Sequence, residues 1–516
     1  MARRLKWLGM AVLFFALASV VSLWSYGRFA RHAQGAPGHA LAVSAGATVL
    51  DRSVAPVLLA HPGRSGIALV HDNLDAYALR ALSARNAGRS LDLQYYIWHD
   101  DFTGRLLEYE LLRAADRGVR VRLLLDDMNA HDSNSVLAAL DAHPGIEVRM
   151  FNPVRNRSNG LARAVEMLLR PLTVNRRMHN KAWIADGRIA IVGGRNIGDE
   201  YFSAAADNNF IDLDALVVGP AVAQTEAIFD DFWNGSGAIP LVALKLAQPG
   251  ALQDLRERAA KAEAQVRNHA YMRRIRESAT IGEFVSGAAL RWPDRLQVLS
   301  DPADKVEGGD KARWLVRPLA AAMLAARKSL HVVSPYFVPG DRGVQALRGL
   351  RANGVDVEIL TNSLAATDVM AVHSGYAPYR KPLLESGVKL YELRAQGNRD
   401  ASLFGSSGAS LHTKAFAVDG ETGFVGSFNV DPRSISLNTE MGVLFHDAEA
   451  TAALQRLFRA KMGSGHSYRV LLRDESLRWQ DASAIPPKEW EHEPDTSWWQ
   501  RAVVRVLEWL PIESQL

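Results

Sequence analysis

One eight-residue phrase occurs twice in this chain, and the repetition constrains the fold more than any other feature. The first copy runs His179-Asn-Lys-Ala-Trp-Ile-Ala-Asp186, and the second, 233 residues on, runs His412-Thr-Lys-Ala-Phe-Ala-Val-Asp419. Each leads into a glycine turn and an asparagine: Gly193, Gly194 and Asn196, then Gly426, Ser427 and Asn429. The flanks repeat as well. Residues 91–97 and 330–338 are β-rich, residues 104–117 and 344–351 carry helical spacing, and Gly118 and Gly354 stop those helices. Residues 119–125 and 355–360 then read as the next strands. Strand, helix, strand implies parallel pairing through a crossover helix. The duplication is domain-sized, so the expected class is α/β, with two tandem domains.

At 516 residues the chain holds two such domains, and 48% hydrophobic with 22% charged residues is a globular composition. A net charge of +4 permits an anionic partner without demanding one. The lack of cysteine excludes disulfides, thiolate metal sites, cysteine nucleophiles and lipoprotein acylation. Arg3, Arg4 and Lys6 precede an apolar run over 7–26, long enough to span a bilayer. An uncleaved anchor with its basic end inside places the rest across the membrane, although Arg28 and Arg31 on the far side oppose that orientation. The alternative is a cleaved signal at the small-x-small site around Ala16 and Ala18.

The expected organisation is an anchor and tether over 1–35, a first domain over 36–245, a helical connector over 246–290, a second domain over 291–477 and a tail over 478–516. Residues 28–60 lack a sustained period and read as a tether. Five of twelve tryptophans fall in the last 38 residues. There, Trp499, Ala502, Val503, Val506, Leu507 and Leu510 share one helical face, suited either to a membrane interface or to capping the second domain.

Along a strand, alternate side chains share a face, so each histidine and lysine can look into one pocket. Neutral imidazole is a nucleophile, imidazolium is an acid, and ammonium suits phosphate oxygens. Phosphodiester cleavage uses that set directly. One histidine attacks phosphorus and the other protonates the leaving alkoxide. Lys181, Lys414, Asn196 and Asn429 would stabilise charge on the equatorial oxygens. Asp212 and Glu440, 33 and 28 residues after the histidines, are candidates to orient them. Asp186 and Asp419 read as structural, turning each strand into Gly187 and Gly420. Protonated lysine beside the histidines disfavours zinc, and no Walker-type loop is present, so no metal or cofactor is expected.

With the trailing Asn, both copies of His-x-Lys-x4-Asp-x6-Gly-Gly/Ser resemble the phospholipase D superfamily signature, over roughly residues 60–475. The resemblance implies two phospholipase D-like α/β domains related by a pseudo-two-fold axis, one active site at their interface, and no metal requirement. Segments 362–369, 373–384 and 510–516 are similar to the C-type bacterial cardiolipin synthases. That implies exchange of one alcohol for another at phosphorus: His179 attacks phosphatidylglycerol, and a second phosphatidylglycerol or phosphatidylethanolamine accepts the phosphatidyl group. It also implies phospholipid partners and a bacterial membrane, and the anchor's basic start puts the catalytic domains on the periplasmic side of the inner membrane. Tyr336, His373, Tyr376, Arg380, Arg176 and Arg177 are expected substrate contacts. The arginines from Arg155 to Arg177, interleaved with Leu161, Val165, Leu168 and Leu169, are expected on an anionic surface. A hydrolase acting on lipid or nucleic acid, or an inactive membrane scaffold, are the competing readings. The anchor argues against a nucleic-acid partner, and oligomeric state is left open.

Overall fold

A computed structural model describes residues 2–516, apart from 131–132, 158, 207–208, 247–248, 267–268, 279, 396–409 and 464. Two mixed sheets carry the same strand order. The first runs Gly66–Val70, Asp214–Val218, Ile189–Gly193, Ala182–Ala185, Ser90–Tyr95, Arg120–Asp126, Ile146–Phe151 and Ala238–Pro240. The second runs Arg295–Ser300, Met441–His446, Thr422–Gly426, Lys414–Val418, Ser329–Val333, Asp356–Asn362, Lys389–Leu393 and Ser467–Arg473, then adds Ser476–Asp481 and Lys488–Trp490. The two crossover units expected from the repeat pair in parallel, Ser90–Tyr95 with Arg120–Asp126 and Ser329–Val333 with Asp356–Asn362. Their helices are Phe102–Asp116 and Gly340–Ala352. One apolar cluster draws on both halves, from Met178, Ile184 and Val192 to Val333, Ala415 and Val443. The halves therefore share a core as well as a boundary.

The motif aspartates do more than turn a strand. Asp186 and Asp419 sit at positive φ, 54° and 55°. Asp186 accepts the backbone N–H groups of Gly88, Arg89 and Ser90, and Asp419 those of Arg327, Lys328 and Ser329. Each thereby pins the start of the neighbouring antiparallel strand in its own half.

Two sequence expectations need correction. The stretch 28–60 is no free tether. The N-terminal helix Ala2–Ala33 continues through its start, and Val49–Ala60 is a second helix with a Thr48–Asp51 capping box. Between them, Arg149 donates to the Ala36 carbonyl and Arg120 to that of His39, fastening the segment to the first sheet. The boundary drawn at 477–478 falls within the strand Ser476–Asp481, which pairs with Ser467–Arg473 and extends the second sheet. The connector contains helices Ala251–Val266, Ala270–Arg276 and Thr280–Ser286, and residues 247–248, 267–268 and 279 of it lie outside the described residues. The final helix Trp498–Leu507 caps the second half through buried Val504 while Trp498 and Val506 stay exposed.

Candidate active site

The two histidines lie just before their strands and are held by the opposite half. The His179 N–H donates to the Thr439 carbonyl, and the Thr439 N–H returns a bond to Arg177. In the other direction, Ser410–Leu411 pairs with Phe210–Ile211, and the His412 N–H donates to the Ile211 carbonyl. The side chains cross in the same way. His179 Nδ1 is 2.8 Å from Glu440 Oε2, and His412 Nδ1 is 2.6 Å from Asp212 Oδ2. The in-half spacing of 33 and 28 residues suggested own-half partners. The chain instead exchanges them, because each carboxylate directly follows a residue bridged to the other half, Ile211 to Leu411 and Thr439 to Met178.

With Nδ1 engaged, Nε2 of each imidazole is the atom left for chemistry. Tyr96 stands edge-on to His179 at 5.0 Å, and Tyr201 and Phe210 flank His412 at 5.3 and 5.0 Å. Burial first, and then Lys181 and Lys414, holds both imidazoles well below their usual range, so both are neutral. Burial pushes Glu440 up to about 7 against the opposing charge of Lys181, and raises Asp212 against Lys414. Burial also lowers the lysines, Lys414 to about 8. Lys181 Nζ donates to the His179 carbonyl at 2.8 Å, and Lys414 Nζ to that of His412. Two lysines and two carboxyl groups thus surround the two imidazoles in a buried site.

The Gly194/Ser427 difference has a structural cause. A Cβ at Gly194 would overlap the Asp212 carboxylate. Ser427 Oγ instead donates to Glu440 Oε2 at 2.5 Å, and Ser434 Oγ donates to Oε1 at 2.8 Å. Glu440 is therefore oriented by two hydroxyls, whereas Asp212 receives the Leu213 N–H at 2.7 Å. Gly193 and Gly426 end their strands against Asp214 and Gly442. The asparagines differ too. Asn196 accepts from the Ile97 N–H and donates to the Tyr201 hydroxyl, so its amide braces the wall, while Asn429 Oδ1 is buried without a hydrogen-bond partner among the described residues.

The expected substrate contacts separate. The Tyr336 hydroxyl donates to Asp368 at 2.7 Å, and Asp368 acts on the charge of Lys414, so this pair borders the site. His373 and Arg380 are instead committed to Glu493, and Arg380 also to Glu392, with the guanidinium over the Tyr376 and Trp479 rings. That buried cluster ties the C-terminal segment to the second half. Arg177 pairs with Asp126, whose other oxygen takes the Met178 N–H, and so sets the approach to His179. Arg176 donates to the Val306 carbonyl across the halves. Only part of the arginine stretch reaches the surface as expected, since Arg155, Arg163 and Arg176 are half-buried. Arg157 and Arg170 are buried on Asp127 and Glu166, because the chain turns their charges inward to carboxylates. Sequence reasoning missed Ser434, Tyr96 and Arg195, whose guanidinium donates to the Asp212 carbonyl at 2.6 Å and pairs with Asp214. They have no counterpart in the duplicated phrase, although Ser434 stands six residues before Glu440.

Among the described residues, His99, Asp101 and Glu200 form the one trio whose ligand atoms lie within 4.8 Å of one another. Asp101 there caps the helix Phe102–Asp116 through the Gly104 N–H, so the trio already has a structural task.

Comparison with known proteins agrees with this architecture. Residues 83–233 and 319–462 match the family described as cardiolipin synthase, PLD-like domain. The chain is 42% identical to cardiolipin synthase C of Escherichia coli (strain K12) over 480 residues, covering 90% of this chain and 99% of that protein. It is 28% identical to a cardiolipin synthase of Geobacillus kaustophilus (strain HTA426) over 382 residues, 72% of this chain and 61% of the relative. Among solved structures, phosphatidylserine synthase of Haemophilus influenzae Rd KW20 superposes with a TM-score of 0.56 at 14% identity, covering 90% of this chain and all of that one, a likeness of fold. The chain belongs to the cardiolipin synthase, phospholipase D-like family.

Proposed function

We propose that this protein is a phospholipase D-type transphosphatidylase that makes cardiolipin. His179 Nε2 attacks the phosphorus of phosphatidylglycerol, forming an N–P bond as the P–O bond to glycerol breaks. His412 gives its proton to the departing glycerol oxygen, then takes one from the hydroxyl of a second phospholipid, which attacks the phosphohistidine. The acceptor is phosphatidylglycerol or phosphatidylethanolamine. One diester replaces another, so no nucleotide energy source enters. Burial and the two lysines favour neutral His412. A bound phosphodiester anion offsets the two lysine charges and lets His412 carry the proton it must donate. Glu440 and Asp212 keep each Nδ1 occupied so that Nε2 faces the reaction.

The observation that carries this reading is the crossed pair of histidine–carboxylate contacts within one buried two-lysine site. The helix Ala2–Ala33 contains an apolar stretch long enough to span a bilayer. Its basic start favours an inner-membrane anchor, with both halves on the periplasmic side. Purified full-length protein in phosphatidylglycerol vesicles is expected to release glycerol and form cardiolipin. Phosphatidic acid as the product would make it a hydrolase, and no turnover a scaffold. Trapping of the phosphoenzyme on His412 in place of His179 would reverse the assignment of nucleophile.

A further inference from the structure

The helix Gly160–Leu169 is amphipathic the wrong way round for a surface helix in water. Its charged edge faces inward: Glu166 is buried and accepts from Arg170 and from the Asn156 side chain, both at 2.8 Å. Its outward face is apolar. Leu161, Val165, Leu168 and, in the next turn of chain, Leu172 are 77%, 47%, 62% and 79% exposed. A helix on a soluble surface shows the reverse, and a contiguous exposed apolar stripe marks a contact surface.

The neighbours of the stripe identify the partner. The foot of the N-terminal helix packs beside it: the Arg170 guanidinium lies 3.2 Å over the Tyr26 ring, and Arg155 donates to Ser25 Oγ at 3.2 Å. Above that foot the same helix exposes Phe14, Leu17, Val20 and Trp24. The stripe therefore continues the surface that would lie in lipid. Its far end leads to Asn175, which donates to Gln515, and then within four residues to His179.

We propose that the Leu161–Leu172 stripe is a second membrane contact. It seats in the headgroup–acyl boundary beside the spanning helix and holds the mouth of the site at the lipid surface. Half-buried Arg155 and buried Glu166 and Arg170 form a cluster that joins the two elements, so they enter the bilayer as one unit. This rests on the reading of the N-terminal helix as a membrane span, and the experiment separates the two.

The chain has no cysteine, so Leu161→Cys, Leu168→Cys and Leu172→Cys each create a unique labelling position in the full-length protein. Each variant, carrying an environment-sensitive fluorophore, is reconstituted into vesicles of phosphatidylglycerol and phosphatidylcholine with or without brominated acyl chains. The three labels are expected to shift to the blue and to be quenched by the brominated lipid. A label at Glu421→Cys, in the exposed turn at the opposite end of the strand from His412, is expected to report water in both. Leu13→Cys tests the span itself. Quenching at Leu13→Cys with none along the stripe overturns this proposal and leaves the anchor standing. Quenching at neither overturns both. A blue shift along the stripe without quenching means that protein, such as a second copy of this chain, covers it, and likewise overturns the proposal.

Discussion

Each imidazole takes its orientation from a carboxylate of the other half, so Glu440→Gln and Asp212→Asn act on tautomer and ring position. Both are expected to lower kcat by roughly 10²- to 10⁴-fold with a small change in KM, read from cardiolipin formation in vesicles. His179→Ala and His412→Ala should each abolish transfer. The pH dependence follows from Lys414, which loses its proton as pH rises through about 8. Its charge is present below that pH, so kcat/KM is expected to fall above it. A profile that stays level well past that point would remove the Lys414 charge from substrate binding. At this scale the duplicated phrase made the histidines, lysines and motif aspartates legible. Partnership was not legible, because spacing along the chain points to Asp212 for His179, whereas strand pairing across the interface delivers Glu440.

Strands and helices set the tolerance of the turn that follows each motif. Gly194→Ser forces a side chain into the Asp212 carboxylate, and its expected outcome is a protein of lower melting temperature with little transfer activity. Ser427→Gly removes one of two hydroxyls on Glu440, a loss of about 1–3 kcal/mol of local support that should reduce activity while leaving a folded protein, seen by circular dichroism beside the vesicle assay. The parallel crossover units were legible because their apolar periods are local. The helix Val49–Ala60 was not, since Asp51, Arg52 and Pro56 interrupt its period and only the Thr48–Asp51 cap and its packing mark it. The inward arginines were misread for a related reason. Charge in a sequence suggests solvent, and the carboxylates that bury Arg157 and Arg170 become neighbours only in the fold.

For the whole molecule, the C-terminal segment is a fastening. Arg380→Ala leaves Glu392 and Glu493 facing a buried gap, and breaking such a pair costs about 3–5 kcal/mol. A lowered thermal midpoint with early proteolytic release of the segment beyond residue 490 is expected, measured by calorimetry and limited digestion. Its tryptophan-rich composition made this region look separate. The pairing of Ser476–Asp481 with Ser467–Arg473 shows that its strands belong to the second sheet, an affiliation that depends on the sheet edge already being there. The exchange of carboxylates between halves has a consequence for the life of the chain. A ribosome delivers the first half before the second exists, and that half emerges with a histidine whose partner has not yet been made. Neither imidazole therefore meets its orienting carboxylate until the second half has been made and has docked on the first. The crossed contacts thus tie assembly of the site to completion of both halves.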